Sequence, residues 1–414
     1  MDGLSPLRLI TPPPDDFKAA RFSYPDLELA VKSHFMVQFK TLETDLADSG
    51  DSFWREIEPS AAYRYLPVIS LKLQQADDED RQRFWSRQLT LAGIRVFGRP
   101  VPSVAAKLVR QQLQQFPAQG GTIVKDIYRS VLRSMVVEPD EDESSDEVLL
   151  AAIRQILEKR YRTIYQLIDE RFEAVNELGA ADIRDVYSRM LDQLKIEDEA
   201  WQGWQVVLAD SAYMSVSPVQ KLIKIGRHLN QLPLNRAKSL FTHEVLVHAA
   251  RSVRGQTYGS RVAFGMPGYT EAEEGLGVLM EAAIEGQMPY RVVDRYIDIS
   301  LALGQLGLPA MTRSQLYAMA SDRASLRQGS GSFSERATWQ HVNRIYKGSL
   351  GNDVIGVVPR DVVYYSGYKL MFDYLGRYQA RDLYQAVKFA LSGKLNPASL
   401  EHRHQLHRIK FNIT

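Results

Sequence analysis

The chain has 414 residues, of which 45% are hydrophobic and 24% charged, as in a folded globular protein with about two to three domain-sized units. Its 51 Lys and Arg nearly balance its 50 Asp and Glu, so the composition predicts no general attraction to nucleic acid or to an anionic membrane. The absence of cysteine excludes disulfides, a Cys nucleophile and Cys-ligated metal sites, so any metal must be held by His and carboxylates.

The first residues are interrupted by prolines and acids and lack the apolar core of a signal peptide. No stretch of the sequence approaches the roughly 18 uncharged apolar residues of a membrane-spanning helix. We therefore expect a cytoplasmic protein with no membrane partner, although a cysteine-free chain is compatible with any redox compartment.

The N-terminal region, residues 25–137, is predicted to be mostly helical and to follow an extended arm over residues 1–24. Its predicted elements are a helix at 27–46, strands at 63–73 and 94–97, and a helix at 124–135. Gly98 is expected to end the second of these strands.

Residues 138–147 contain seven acids in ten residues and are predicted to form a solvated loop or hinge, with an acidic docking site as the alternative. Asp146 is the expected N-cap of a long helix over residues 147–178 that ends at Gly179. A shorter helix is predicted to follow at residues 183–194.

Beyond Trp201 the pattern changes to short runs in which apolar and polar residues alternate. These runs predict strands at 204–208, 213–216 and 221–225. The last of them is expected to lie at a sheet edge, where an extended peptide could pair with it. Asn235 is the expected N-cap of a helix that ends at Arg254, with Gly255 just past its end.

This helix contains the sequence HEVLVH, from His243 to His248, which is an HExxxH pattern. At about 100° per residue, side chains five residues apart diverge by about 140°, so an ideal α-helix does not direct both imidazoles to one ion. A one-residue π-bulge between the two histidines would return them to one face, and such bulges are frequent at functional sites. We therefore predict that distortion; the alternative is a regular helix with two unrelated histidines.

A third ligand is predicted within residues 268–275, which read GYTEAEEG. Thr270 and Glu273 have the spacing of a capping box for a second helix, so Glu273 is expected to serve the cap. Glu274 follows in the first turn and is the candidate ligand, whereas Glu281 and Glu285 are expected either to contact the ligands from behind or to lie on the surface. Two His and one Glu leave one position of a zinc ion open for water.

Such a site has a recognisable mechanism. One zinc ion lowers the pKa of its bound water toward about 7 and polarises the scissile carbonyl. Glu244, beside the first ligand, is the candidate general base that takes a proton from the zinc-bound water and later passes it to the leaving amine.

HEVLVH followed by TEAEEGLGVLME resembles the QEGLA-motif family of MATCAP-like tyrosine carboxypeptidases, whose bacterial relatives are called flavohemoglobin expression-modulating QEGLA motif proteins. The family pattern is HExxxH followed by a T-[EQ]-E-G-L-A-like stretch. The resemblance implies zinc ligation by His243, His248 and Glu274. It also implies that Glu244 is the catalytic base.

Two weaker matches to this family lie downstream, VNRIYKG from Val342 and RDVVYYSG from Arg360. Arg344 or Lys347 is the candidate partner of a free substrate carboxylate, because a carboxypeptidase must bind one. Tyr364 is the candidate donor to the oxyanion. A purely structural role is the alternative for all three.

The resemblance covers residues 216–368, about a third of the chain, and departs from the family pattern in places. Leu246 stands where family members often have a small residue, and residues 273–277 read EEGLG in place of QEGLA. The six histidines outside the pattern are not expected to bind metal. The isolated ones are expected to be structural, namely His34, His228 and His341. The other three are expected on a surface helix, namely His402, His404 and His407.

These observations predict a predominantly helical α+β fold, with a zincin-like catalytic domain in residues 148–414 and a small sheet beside the HExxxH helix. The predicted function is that of a zinc metallopeptidase of carboxypeptidase type, acting on the C-terminus of a peptide or protein. The alternatives are a catalytically silent regulatory or interaction protein and a metal-dependent hydrolase of a non-peptide amide. Glu244 argues against the silent protein, since a structural zinc site needs no base.

Overall fold

The computed structural model describes residues 42, 46 and 49–411, except 118–121, 138–143, 176, 212, 329–334 and 348–355. Its contacts divide the chain into two compact units. The first comprises residues 1–140 and 293–362, and the second comprises residues 141–292 and 363–414. The predicted arm over residues 1–24 lies outside the described residues, as does most of the predicted helix at 27–46.

Helices dominate the described part of the chain. The α-helices are α1 (Phe53–Glu56), α2 (Pro59–Gln75), α3 (Glu79–Phe97), α4 (Pro102–Gln115), α5 (Ile123–Ser134), α6 (Ser144–Arg160), α7 (Arg162–Val175), α8 (Ala180–Glu197), α9 (Leu234–Phe241), α10 (Ala250–Gly255), α11 (Ser260–Phe264), α12 (Thr270–Glu285), α13 (Tyr290–Ala302), α14 (Arg313–Gln328), α15 (Glu335–Ile345), α16 (Val362–Leu375), α17 (Ala380–Ala390) and α18 (Leu400–Phe411). A π-helix occupies Thr242–Ala249, and short 3₁₀ helices occupy Gly50–Ser52, Glu199–Trp201, Gln256–Tyr258 and Pro359–Asp361.

One three-stranded sheet lies in the second unit. Its strands are β1 (Gln205–Ala209), β2 (Ser215–Ser217) and β3 (Leu222–Gly226), in the order β1-β3-β2. Ile223 of β3 pairs with Val206 in the parallel β1 and with Val216 in the antiparallel β2. The prediction of an α+β fold with a small sheet is therefore confirmed. The prediction that β3 is an edge strand was wrong, because β3 has a neighbour on each side.

In the first unit, the two strands predicted at 63–73 and 94–97 are helical instead. Residues 63–73 belong to α2, in which Leu66, Ile69 and Leu73 are buried at helical spacing despite a proline at position 67. Residues 94–97 are the end of α3, which Gly98 terminates with a φ of 78°. Their β-branched residues suggested strands, but the burial of one helical stripe decides the structure.

Around the acidic segment the predictions are corrected in three places. Asp146 is the third residue of α6, which begins at Ser144, and therefore cannot be its N-cap. The predicted single helix at 147–178 is two helices that meet at Tyr161. Gly179 begins α8 and does not end a helix, since its N–H donates to Asp182 at 3.2 Å.

The predicted catalytic region, residues 148–414, is divided between the two units. Residues 293–362 group with the N-terminal helices, whereas the HExxxH motif and Glu274 lie in the second unit. In the part of the chain that the structure describes, no helix combines the length and the apolar character needed to cross a membrane.

The first unit contains a largely buried ion cluster. Asp298, at 0% exposure, accepts from Arg323 Nη1 at 2.7 Å and Nη2 at 2.5 Å, and from His341 Nε2 at 2.6 Å. Burial alone would raise the pKa of Asp298, but Arg323 and His341 lower it to about 2. The folded state therefore favours the ionised carboxylate.

We expect Asp298→Asn to weaken the dependence of stability on acid pH. The pKa of Asp298 is lower in the folded protein than in the unfolded chain, so its ionised carboxylate stabilises the folded state above about pH 4. This contribution to the free energy of unfolding, roughly 2 kcal/mol, is lost as the pH falls toward 2. At pH 7 the variant should lose up to about 3–5 kcal/mol, since the buried Arg323 then keeps only Asp294, at 3.5 Å, as a carboxylate partner. Denaturant unfolding at several pH values measures both effects. Asp80→Asn, at an exposed position, is the control; equal acid slopes in the Asp298 variant and the wild type would contradict the prediction.

Helix α12 forms the centre of the second unit, where it packs against the π-helix, α9 and α6. All of its residues from Gly275 to Ile284 are buried. A Cβ atom at Gly275 would lie 1.9 Å from the carbonyl carbon of Gly367 in α16. The two helices therefore touch backbone to backbone, which only glycine permits at this separation.

Candidate metal centre

The HExxxH motif lies in the π-helix, as the spacing of its histidines predicted. The distortion extends over eight residues, Thr242–Ala249, where a one-residue bulge was expected. Hydrogen bonds in a π-helix join residues five apart, so residues five apart lie on the same side. The ring centroids of His243 and His248 are consequently 4.8 Å apart.

The boundaries of this helical segment differ from the prediction. Pro233, in an extended conformation, precedes the first helical residue, Leu234, so Asn235 is not the N-cap. Gly255 is the last residue of α10 and packs closely against the backbone of Val262. The chain turns at Gly259, whose φ is 98°.

Glu274 of α12 meets both imidazoles. Its Oε2 lies 3.7 Å from Nε2 of His243 and 3.6 Å from Nε2 of His248. The ligand atoms of the three residues all lie within 4.8 Å of one another. The three side chains keep only 6%, 14% and 18% exposure, so the cluster is largely shielded from solvent.

This donor set fits a zinc ion. Two imidazole nitrogens and one carboxylate oxygen are a common ligand set of catalytic zinc, which leaves a fourth position open. Tetrahedral zinc at the usual bond lengths places its ligand atoms about 3.3 Å apart. The two contacts of Glu274, at 3.6 and 3.7 Å, are slightly wider than this, and all three ligand atoms lie within 4.8 Å of one another.

His243 is held from its other nitrogen by Glu281. Nδ1 of His243 lies 2.5 Å from Oε1 of Glu281, off the line of a well-aligned hydrogen bond. The other oxygen of Glu281 accepts from Arg236 Nη1 at 2.6 Å and also contacts Arg291. The sequence had left Glu281 either behind the ligands or on the surface, and the structure places it directly behind a predicted ligand.

His248 is held in the same way by Glu273. Nδ1 of His248 lies 2.8 Å from Oε1 of Glu273, whose Oε2 accepts from Arg251 Nη1 at 2.7 Å. Lys394 also contacts Oε1 of Glu273. The predicted capping role of Glu273 was wrong: Tyr269 occupies the N-cap without a side-chain bond, while Glu273 is buried among these partners.

The charges of the cluster shift its pKa values strongly. Burial alone would lower the pKa of both imidazoles, but Glu281 and Glu274 raise that of His243 to about 9. Glu274 and Glu273 raise the pKa of His248 to about 10. Burial raises the pKa of Glu274, yet the two imidazoles bring it well below its ordinary value. In the metal-free protein these shifts favour protonated imidazoles paired with ionised carboxylates.

Zinc binding at pH 7 should release about two protons, because the ion binds neutral imidazoles. The pKa values of both imidazoles are higher in the folded protein than the value of about 6.5 in the unfolded chain. Protonation therefore stabilises the folded, metal-free protein fully below about pH 6.5, and this stabilisation is lost as the pH rises through 9–10. Zinc affinity should accordingly rise with pH between 6 and 9. Calorimetry in two buffers of different ionisation enthalpy measures the release; no proton release at pH 7 would contradict the prediction.

Glu244 lies in the π-helix beside these ligands and is half-buried. Burial raises the pKa of its carboxyl group, and the neighbouring His248 and His243 oppose that rise. Among the described residues, none donates a hydrogen bond to this carboxylate. A carboxylate without such a partner keeps its capacity to accept a proton.

Gly277 is a second residue whose role the sequence did not reveal. A Cβ atom at this position would lie 2.6 Å from Cε1 of His243, closer than side chains pack. The glycine that replaces the last letter of QEGLA thus leaves space for the imidazole ring. Its position relative to Glu274 and Glu281 follows the spacing i, i+3 and i+7 of one helix face, a signal that the sequence contains.

The three candidates from the weaker matches fall in different units. Tyr364 is half-buried in the first turn of α16, in the unit that holds the metal cluster. Arg344 and Lys347 belong to the other unit. There Arg344 Nε donates to Asp361 at 2.6 Å, and burial together with Arg344 lowers the pKa of Lys347.

The remaining histidines have structural partners or lie on the surface. His402 is buried and accepts from the N–H of Asn396 at 2.8 Å, so its predicted surface position was wrong. His404 and His407 are exposed on α18, as expected. His228 contacts Asp210, His341 contacts Asp298, and the prediction for His34 falls outside the described residues.

Comparisons with protein-family models and with curated proteins find no match to this chain. The resemblance to the QEGLA-motif family therefore stays a prediction carried by the motifs themselves. The geometry of the cluster is independent of that resemblance, because it follows from the positions of this chain's own side chains.

Proposed function

We propose that the protein is a zinc metallopeptidase of carboxypeptidase type, with a zincin-like catalytic unit. The observation that supports this most directly is the convergence of three ligand atoms within 4.8 Å beside a carboxylate that has no hydrogen-bond donor among the described residues. A cytoplasmic location belongs to the same proposal.

The ligands and the base have separate roles. His243, His248 and Glu274 would hold the ion, with both imidazoles turned so that Nε2 faces the centre. When bound, zinc supplies an activated water and polarises the substrate carbonyl. Glu244 accepts a proton on its carboxylate and later gives it to the amine nitrogen of the departing residue.

An extended substrate has a place to pair beside this cluster. In the described part of the sheet, β2 has one free edge and packs against the π-helix. Backbone hydrogen bonds to such an edge hold a peptide extended. β2 therefore takes the role that the sequence had suggested for β3.

Three further roles rest on the resemblance. Tyr364 is proposed as a hydrogen-bond donor to the oxyanion of the reacting carbonyl. Arg344 or Lys347 is proposed to bind the free carboxylate of the substrate. Arg344 already compensates the buried Asp361, so its replacement should lower stability as well as substrate binding.

A peptide library tests the reaction type. The zinc-loaded protein is incubated with peptides that have free or amidated C-termini, and the products are identified by mass spectrometry. A carboxypeptidase shortens the free peptides by one residue at a time and leaves the amidated peptides intact. Internal cleavage would refute the carboxypeptidase type, and bound zinc without any cleavage would refute the peptidase.

A further inference from the structure

We propose that Glu281 is a positioning residue for His243, and that it holds the imidazole through Nδ1 so that Nε2 faces Glu274. The inference rests on the proposed function, since it assigns Glu281 a task toward the metal. Glu281 is not one of the three candidate ligands, and it acts through the ring of His243.

The contact between the two residues is exclusive. Nδ1 of His243 and Oε1 of Glu281 lie 2.5 Å apart, with side-chain exposures of 6% and 1%. Among the described residues, neither atom forms a well-aligned hydrogen bond, and no ion pair other than this contact involves either of them. A buried polar atom without a partner is costly, so each depends on the other. A proton on Nδ1 leaves the lone pair of a neutral imidazole on Nε2, where a metal ligand needs it.

Helix α12 constrains the ring at three points along one face. Glu274 lies near Nε2, and Glu281 lies near Nδ1. Between them, the bare Cα of Gly277 faces the ring, since a Cβ atom there would lie 2.6–2.8 Å from Cε1, Nε2 and Nδ1. The ring is therefore oriented by contacts at both nitrogens and by packing against the glycine.

The arginines that contact Glu281 are partly exposed, so replacing Glu281 can test its effect on zinc binding without unfolding the protein. Arg236 and Arg291 contact Oε2, and their side chains are 24% and 34% exposed. If Glu281 is replaced, both arginines keep access to water, so the fold should tolerate the change. Glu273 is a poorer test, because its partners Arg251 and Lys394 are 0% and 7% exposed and would become buried, unpaired charges.

The experiment compares zinc affinities by competition with a chromogenic chelator. Glu281→Leu should bind zinc about 10–100-fold more weakly than the wild type, as expected when the outer partner of a metal-binding imidazole is lost. Glu281→Gln keeps a carbonyl oxygen for the Nδ1–H and should recover most of this loss. Glu285→Gln is the matched control: Glu285 contacts the same Arg236 at 2.9 Å and forms no ion pair with His243.

A cobalt-substituted protein adds a readout that a purely structural role would not change. The visible absorption of bound Co²⁺ depends on the arrangement of its ligands, so it should change in Glu281→Leu and stay as in the wild type for Glu281→Gln and Glu285→Gln. A folded Glu281→Leu protein with zinc affinity within twofold of the wild type would overturn the proposal. Equal losses in Glu285→Gln and Glu281→Leu would overturn it as well.

Proton NMR of the metal-free protein, labelled with ¹⁵N in histidine, separates this inference from the proposed function. The Nδ1–H signal of His243 should be visible in the wild type and in Glu281→Gln and disappear by exchange with water in Glu281→Leu. If the Leu variant does not fold, loss of the signal in Glu281→Gln overturns the proposal. A wild type that binds zinc but cleaves no peptide refutes the peptidase alone.

Discussion

Glu244→Gln is expected to keep one zinc ion per chain and to lower the turnover of C-terminal peptides by about 10²–10⁴-fold, the usual contribution of a general base. Glutamine has the same shape but cannot accept the proton. Among the described residues no donor binds the Glu244 carboxylate, so the substitution should leave its surroundings intact. Metal analysis and peptide hydrolysis rates on the same preparation measure the two effects.

Glu170→Gln is the control for this change. Glu170 lies on α7 and is exposed, and its one ion pair with a described residue is the 3.9 Å contact with Arg189. Its variant should retain both zinc and turnover, because exposed ion pairs contribute little. Turnover of Glu244→Gln within threefold of the wild type would remove Glu244 from the mechanism.

Glu274→Ala is expected to lower zinc affinity by more than the roughly 10–100-fold that follows when a metal-binding imidazole loses its supporting carboxylate. Turnover should be lost together with the metal. In the proposed site the carboxylate of Glu274 is the single anionic ligand, and its Oε2 lies 3.7 and 3.6 Å from the Nε2 atoms of His243 and His248. Without it, the two imidazoles that remain cannot complete the three-residue set of a catalytic zinc site. Chelator competition and metal analysis after dialysis measure the loss.

Glu271→Ala tests whether the loss is specific to the ligand position. Glu271 is exposed and lies in the first turn of the same helix, three residues before Glu274. A thermal melt of both variants separates loss of metal from loss of fold. If Glu274→Ala retains zinc with wild-type affinity while folded, the ligand assignment is refuted.

The local part of the site could be predicted from the sequence because it depends on helix geometry alone. Histidines five residues apart share a face only if the helix widens, and the structure has a π-helix at that place. The spacing of Glu274, Gly277 and Glu281 was equally readable as one helix face. The sequence left Glu281 either behind the ligands or on the surface, because nothing local indicates which neighbour a helix face will meet.

Where a local sequence preference conflicts with the burial of side chains, the structure follows burial. Thr270 and Glu273 have the spacing of a capping box, but Glu273 is 3% exposed and accepts from Arg251 and His248 in the interior. Residues 63–73 have strand-forming side chains, yet they bury one stripe of α2. In each case the free energy of packing or of charge pairing outweighs a local preference of about 1 kcal/mol or less.

The sequence by itself determined the candidate ligands, the candidate base and the need for a widened helix, since these follow from residue type and spacing over a few turns. Only the tertiary structure decided which carboxylate supports which imidazole and that β3 is the central strand. It also brought Lys394 to Glu273 across 121 positions of the chain. Such contacts are chosen by the packing of distant segments and the pairing of buried charges, which no short stretch of sequence encodes.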